Sequence, residues 1–192
     1  MRSTQLVIQD HIILRRGLDV VDGMLQKLEC GQRIEIFDAT VMLKFLRLFG
    51  DQYHQAMEET VLFPALLAAA PDECPLHQFV SEHGAERTLV AEIEEALMSR
   101  KGMAFFRSSR QLTGLLRAHC DHEETILGRL AEPCLTVEQD ESVLAEFLKK
   151  RSQVEIYTSF ARLERRYTGV NVSQALSQDA KLAQVRGSAS YG

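Results

Sequence analysis

The 192-residue chain has no block of Lys and Arg, no C-x-x-C pair, no long apolar run and no strand-like alternation. Each absence closes off a class of function. Basic residues number 22 against 27 acidic ones, for a net charge of −5. Phosphate binding needs a basic face, so nucleic acid is not an expected partner. Arg165–Arg166 and Lys149–Lys150–Arg151 read as solvated helix surface. No apolar stretch reaches the roughly 18–20 residues of a membrane span, so no membrane association is expected. The opening Met1-Arg2-Ser3-Thr4-Gln5 leads straight into an amphipathic pattern holding Asp10 and His11, unlike a signal peptide. The four cysteines (Cys30, Cys74, Cys120 and Cys134) show no zinc-like spacing, which points to reduced thiols and a cytoplasmic protein. No repeat of fixed period and no hairpin signal is present.

What is there is helical periodicity, hydrophobic residues making up 45% of the chain. Five stretches can be read from it and from the breakers. They run from about Thr4 to Leu28, Asp38 to Leu67, Pro75 to Ser99, Ala104 to Leu130 and Val137 to Tyr167. Pro64 falls within the second and is expected to kink it or end it one turn earlier. Pro133 is expected to lie beyond the fourth. The fold expected is all-α, an up-down-up-down four-helix bundle with an additional C-terminal helix. The divisions are a bundle over 1–134, a C-terminal helix over 135–170 and a flexible tail over 171–192.

Each of the first four helices places a histidine on its apolar stripe. At about 100° per residue, His11 shares a face with Val7, Leu14, Leu18 and Leu25, and His54 with Leu43, Gly50, Met57 and Val61. His83 lies with Phe79, Val90 and Leu97, and His119 with Leu112, Leu115, Ile126 and Leu130. Two of these histidines carry a glutamate one turn on, Glu58 after His54 and Glu123 after His119. An ionised carboxylate buried without a partner costs more than a small domain's stability can absorb. A pair of metal ions resolves that cost, supplying charge to both glutamates and accepting the imidazole lone pairs. Mixed imidazole and carboxylate ligation suits iron ahead of zinc and manganese. The competing reading is a purely structural bundle, which must satisfy six polar groups on core faces by hydrogen bonds alone.

These motifs resemble the hemerythrin-like, or HHE cation-binding, family over roughly residues 4–131. The resemblance rests on His11, on His54-Gln55-Ala56-Met57-Glu58-Glu59 with Leu62-Phe63-Pro64, on Glu82-His83, and on His119-Cys120-Asp121-His122-Glu123-Glu124. It implies His11, His54, His83 and His119 as terminal ligands. It further implies Glu58 and Glu123 bridging two Fe ions, with an oxo or hydroxo bridge and a small diatomic or peroxide ligand. Oxygen carriers of the family have five histidines, two of them one turn apart on the third helix. Here the positions one turn either side of His83 are Phe79 and Arg87. The last acid also comes four residues after its histidine, where the carriers have an aspartate five later. The resemblance therefore points away from O2 transport, toward relatives implicated in iron or oxygen sensing, peroxide removal and nitrosative stress.

Some neighbours admit more than one role. Glu86 or a water could fill the vacated third-helix position. Glu59 and Glu124 are expected at the surface or hydrogen-bonded to ligands. His122 is a register alternative to His119, His77 is expected to be exposed, and Cys120 should be a structural thiol. A ferritin-like site would need Glu-x-x-His, and no glutamate stands three residues before any histidine. Three functions stay open at this point: an enzyme acting on O2 or peroxide, a sensor of oxygen, iron or NO, and iron storage or delivery. Phe45, Phe49 and Phe63 are expected on the back of the second helix, opposite His54. A stripe of Leu144, Phe147, Val154 and Ala161 is expected to cover them, either within one chain or in a homodimer.

Overall fold

A computed structural model describes residues 1–70, 76–151 and 157–169. No strand occurs among them, and the helices form an up-down-up-down four-helix bundle with further helices at its C-terminal side. The first, α1, spans Arg2–Glu29. It stops where Gly31 takes φ 71°, which only glycine adopts without strain, and the Gln32 N–H returns to the Lys27 carbonyl. The second rod begins as α2, Ile36–Phe45, and ends as α3, Phe63–Ala69. The third, α4, spans Leu76–Met98, and the fourth, α5, spans Gly102–Cys134.

Between α2 and α3 the backbone does not break; it widens. Leu46–Gln55 and Glu58–Leu62 are π-helical, their N–H groups bonding five residues back rather than four. Pro64 therefore does not end the helix, as its sequence position suggests, but opens α3. The loosened turn before it accommodates a ring that lacks an N–H and crowds the carbonyl one turn earlier. The widening also re-phases the faces. Phe63, nine residues after His54, was expected on the back of the helix. Its ring instead stacks 6.1 Å from that of His83. Each widened turn takes in an extra residue, so the face turns more slowly along the chain.

The fourth helix does not stop short of Pro133, as expected, but runs through it and ends one residue later. Its buried face carries Leu112, Leu116, His119, Glu123 and Leu127, a slight rotation from the expected Leu115 and Ile126, which are only half-buried. Beyond it the described residues of the expected C-terminal helix are helical on both sides of 152–156, which lie outside the description: α6, Val137–Arg151, and α7, Tyr157–Thr168. Val154 and the tail lie outside the described residues.

These two helices cover α1 and the back of the second rod. Phe45 stacks on Phe49 and, at 4.6 Å, on Phe160 of α7. Tyr53 meets Phe147 of α6 edge-on at 6.5 Å. Such aromatic pairs each add about 1 kcal/mol beyond the area they bury. The apolar back face is thus closed by the chain's own helices, Phe160 filling the place expected of Ala161. Polar ties reinforce the packing: Arg16 grips Glu164 with two bonds of 2.6 and 2.8 Å, and buried Asp38 accepts from Arg162, Arg166 and Tyr167.

Candidate metal centre

The six residues singled out by the sequence converge at the middle of the bundle. His11, His54, Glu58, His83 and Glu123 are at most 1% exposed, and His119 is 4% exposed. The histidines form two pairs, the rings of His11 and His54 lying 4.9 Å apart and those of His83 and His119 4.8 Å apart. The two glutamates stand between the pairs. Glu58 turns Oε1 toward His54, at 3.1 Å, and Oε2 toward His83, at 3.5 Å. Glu123 Oε2 lies 3.2 Å from Nε2 of His11 and 3.4 Å from Nε2 of His119. Two groups of potential ligand atoms result: His11, His54, Glu58 and Glu123 in one, and Glu58, His83 and His119 in the other.

These donors lack ordinary partners. Nε2 of His11, Nε2 of His54 and all four oxygens of Glu58 and Glu123 are buried with no hydrogen bond. Groups of this kind cost roughly 1–3 kcal/mol each when left unsatisfied. Six together, aimed at one another, is the donor set that a pair of divalent cations fits. The electrostatics without metal agree. Burial raises Glu58 well above the usual carboxylate range, and the nearby charge of Glu123 pushes it further. Burial would raise Glu123 too, but the imidazoles of His11 and His119 hold it far below. Burial lowers His83 to about 4, helped by the charge of His119.

Around the six runs a ring of acids that the sequence only partly revealed. Nδ1 of His11 meets Glu124 at 3.0 Å, Nδ1 of His83 meets Glu59 at 2.8 Å and Nδ1 of His119 meets Glu82 at 2.7 Å. Nδ1 of His54 faces Asp10 at 3.8 Å. Each acid sits beside a core residue of its own helix yet serves the histidine of another. Asp10 of α1 serves the second rod, Glu59 serves α4, Glu82 serves α5, and Glu124 serves α1, closing the circle. A carboxylate on Nδ1 fixes the tautomer that leaves Nε2 free, and it makes that nitrogen a stronger donor. Glu59 and Glu124 belong among the acids weighed from the sequence; Asp10 and Glu82 were missed. The only available signal was their position immediately before His11 and His83.

The remaining candidates fall outside the cluster. Glu86 is buried, its carboxylate accepting from the Gln55 amide, and burial pushes it up to about 7. It lines a cleft of about 240 Å³ with Leu46, Arg47, Asp51, Gln52, Arg87 and Val90. Arg87 points outward to Asp51 and Glu59 at 2.6 and 2.7 Å, and Phe79 packs its ring edge-on against His119. The positions flanking His83 thus supply no fifth imidazole. His122 packs on Phe79 at 5.1 Å, His77 is exposed, and Cys120 is fully buried with its thiol pushed up by burial.

Comparison with known proteins bears on this geometry. Neither the curated proteins nor the solved structures gave a match to the chain. The profile of the hemerythrin HHE cation binding domain matches residues 2–131, a span that takes in all four histidines and both glutamates. With two-thirds of its length matched and its His/Glu cluster enclosed by the matched helices, the chain belongs to the hemerythrin HHE cation-binding family.

Proposed function

We propose that the chain is a non-haem di-iron protein that binds or reacts with a small oxidant (O2, peroxide or NO) in redox stress or sensing rather than in O2 transport. The observation that carries this reading is the set of six orphaned, converging donor atoms on His11, His54, Glu58 and Glu123. His11 and His54 would hold one iron and His83 and His119 the other, with Glu58 and Glu123 shared. Iron held there supplies reversible electron transfer to or from a small bound oxidant.

The protein's own residues do the rest. Phe63 and Phe79 wall the His83–His119 side, excluding water and anything bulky. Glu82 and Glu59 fix the two imidazoles of that side. Glu86 holds a proton near neutral pH, between the cleft it lines and the Gln55 amide beside His54. The missing fifth imidazole favours reactivity or sensing over oxygen carriage, since a metal held by His83 and His119 would then have a position open to a small ligand. Storage would need room for many ions, whereas the described bundle encloses one paired site. A reducing, cytoplasmic setting fits the free thiols of Cys30, Cys120 and Cys134.

Metal analysis with the optical spectrum, before and after peroxide, tests the proposal. The expected result is about two iron ions per chain, with visible absorption once oxidised. His54→Ala and Glu58→Ala should each lose iron and thermal stability; full iron loading in Glu58→Ala and His119→Ala alike refutes the ligand assignment. Oxygen release on adding peroxide marks an enzyme. Iron inert to peroxide that bleaches with NO marks a sensor.

A further inference from the structure

Of the four acids on the imidazole Nδ1 atoms, Asp10 is unlike the rest. Glu59, Glu82 and Glu124 keep 22–27% of their side-chain surface open to solvent, and Glu59 and Glu124 take an arginine from within the bundle, Arg87 and Arg15. Asp10 has no exposed surface, and neither of its oxygens makes a hydrogen bond. Its cation comes from outside the four helices: Nη1 of Arg151, the last residue of α6, lies 3.2 Å from Oδ1. The other oxygen faces Nδ1 of His54 at 3.8 Å. A carboxylate wholly withdrawn from water is costly to bury, and a cation against it offsets part of that cost.

The rest of α6 is arranged to deliver that arginine. Phe147, one turn before Arg151 and fully buried, packs against Tyr53, the residue preceding His54. At the other end of α6, Asp140 accepts from the backbone N–H groups of Arg2 and Ser3 at 2.9 and 3.0 Å, capping the first turn of α1. One helix is therefore pinned to α1 at its start and reaches the metal centre at its end.

We propose that Arg151 and Asp10 are positioning residues for His54, so that α6 is a working part of the metal centre and its docking is thermodynamically linked to metal uptake. The inference rests on the di-iron reading above. Arg151 fixes the Asp10 side chain in place beside Nδ1 of His54, Asp10 orients the imidazole with Nε2 inward, and the first iron position gains affinity. Linkage is reciprocal: whatever metal gains from a docked α6, the docking of α6 gains from metal.

Anaerobic titration of the full chain with ferrous ion against a competing chelator tests this, read together with the spectrum of the oxidised protein. Arg151→Ala should weaken iron binding roughly tenfold or more and shift the spectrum, while Arg151→Lys recovers most of both. Arg162→Ala, which removes an arginine of α7 from Asp38, controls for the loss of any peripheral ion pair and should leave iron affinity unchanged. Asp10→Asn combined with Arg151→Ala should be little worse than Asp10→Asn alone. In the unaltered chain iron should slow amide exchange along α6; in Arg151→Ala it should not. The inference is overturned if Arg151→Ala binds iron with unchanged affinity and spectrum, or if Arg162→Ala weakens it equally. A wild-type chain that takes up no ferrous ion at all overturns the di-iron reading, and this linkage falls with it.

Discussion

Gly23 of α1 lies directly against the backbone carbonyl of Tyr167 in α7, with no room for even a methyl group between them. Backbone cannot swing aside as a side chain can. Gly23→Ala should therefore push α7 away, strain Tyr167 off Asp38 and destabilise the protein by about 1–3 kcal/mol. A melting temperature within a degree of wild type, with Phe160 still protected from solvent, would show that α7 is not seated as described.

Iron uptake should release protons. Burial lowers the pKa of His11 and His119, but their carboxylate neighbours outweigh it and raise both, and Glu58 is raised by burial. The metal-free chain therefore keeps protons on these groups at pH values where free imidazole and carboxylate have begun to lose them. Ligation needs the bare lone pairs, so binding expels those protons and apparent affinity rises with pH through that range. Calorimetry in two buffers of different ionisation enthalpy should give more than one proton released per chain, with tighter binding at about pH 8 than at about pH 6. Proton-neutral binding would contradict the charge arrangement.

The acids on Nδ1 should matter less than the ligands but more than ordinary surface charges. Glu82→Ala removes the partner of His119 at 2.7 Å, and Glu59→Ala removes that of His83 at 2.8 Å. Each should lower iron affinity roughly 10–100-fold with the fold intact. Equilibrium dialysis with circular dichroism separates the two effects, and unchanged affinity in both variants would make the acids bystanders.

Glu86 should give the metal-free protein a pH-dependent weakness. Its folded pKa of about 7 stands above its ordinary 4.5, chiefly through burial, against the favourable charge of His119 and the Gln55 hydrogen bond. A raised carboxyl pKa means that stability is fully present below 4.5 and is lost as pH rises through about 7. Glu86→Gln cannot ionise, so it should gain on the unaltered metal-free chain across that interval, by up to roughly 3 kcal/mol. Urea unfolding at several pH values reads the difference directly; a gap independent of pH would assign the cost to something else.

The candidate metal residues were legible because their signal lies within single helices. His54 with Glu58, and His119 with Glu123, are spaced one turn apart, and His11 and His83 sit among apolar residues at helical spacing. The acids around them were not legible in the same way, because each serves a neighbouring helix. Asp10 beside His11 says nothing of His54 until the two rods are set side by side. Phe63 lies off its expected face because one helical pitch does not hold through the second rod, and nothing in the composition of Leu46–Leu62 marks the wider turns.

Those wider turns mean that the second rod carries slack. A stretch wound at five residues per hydrogen bond holds more chain than its length requires, as though residues had been threaded into an ordinary helix without lengthening the bundle. Deleting one residue could be absorbed by tightening a turn, with the residues beyond it kept in phase. Rewinding Glu58–Leu62 to the ordinary pitch with no residue removed would instead swing every side chain downstream about the rod. His54 would keep its place while Phe63 slipped off His83, and one half of the centre would lose its wall with every donor still in the sequence.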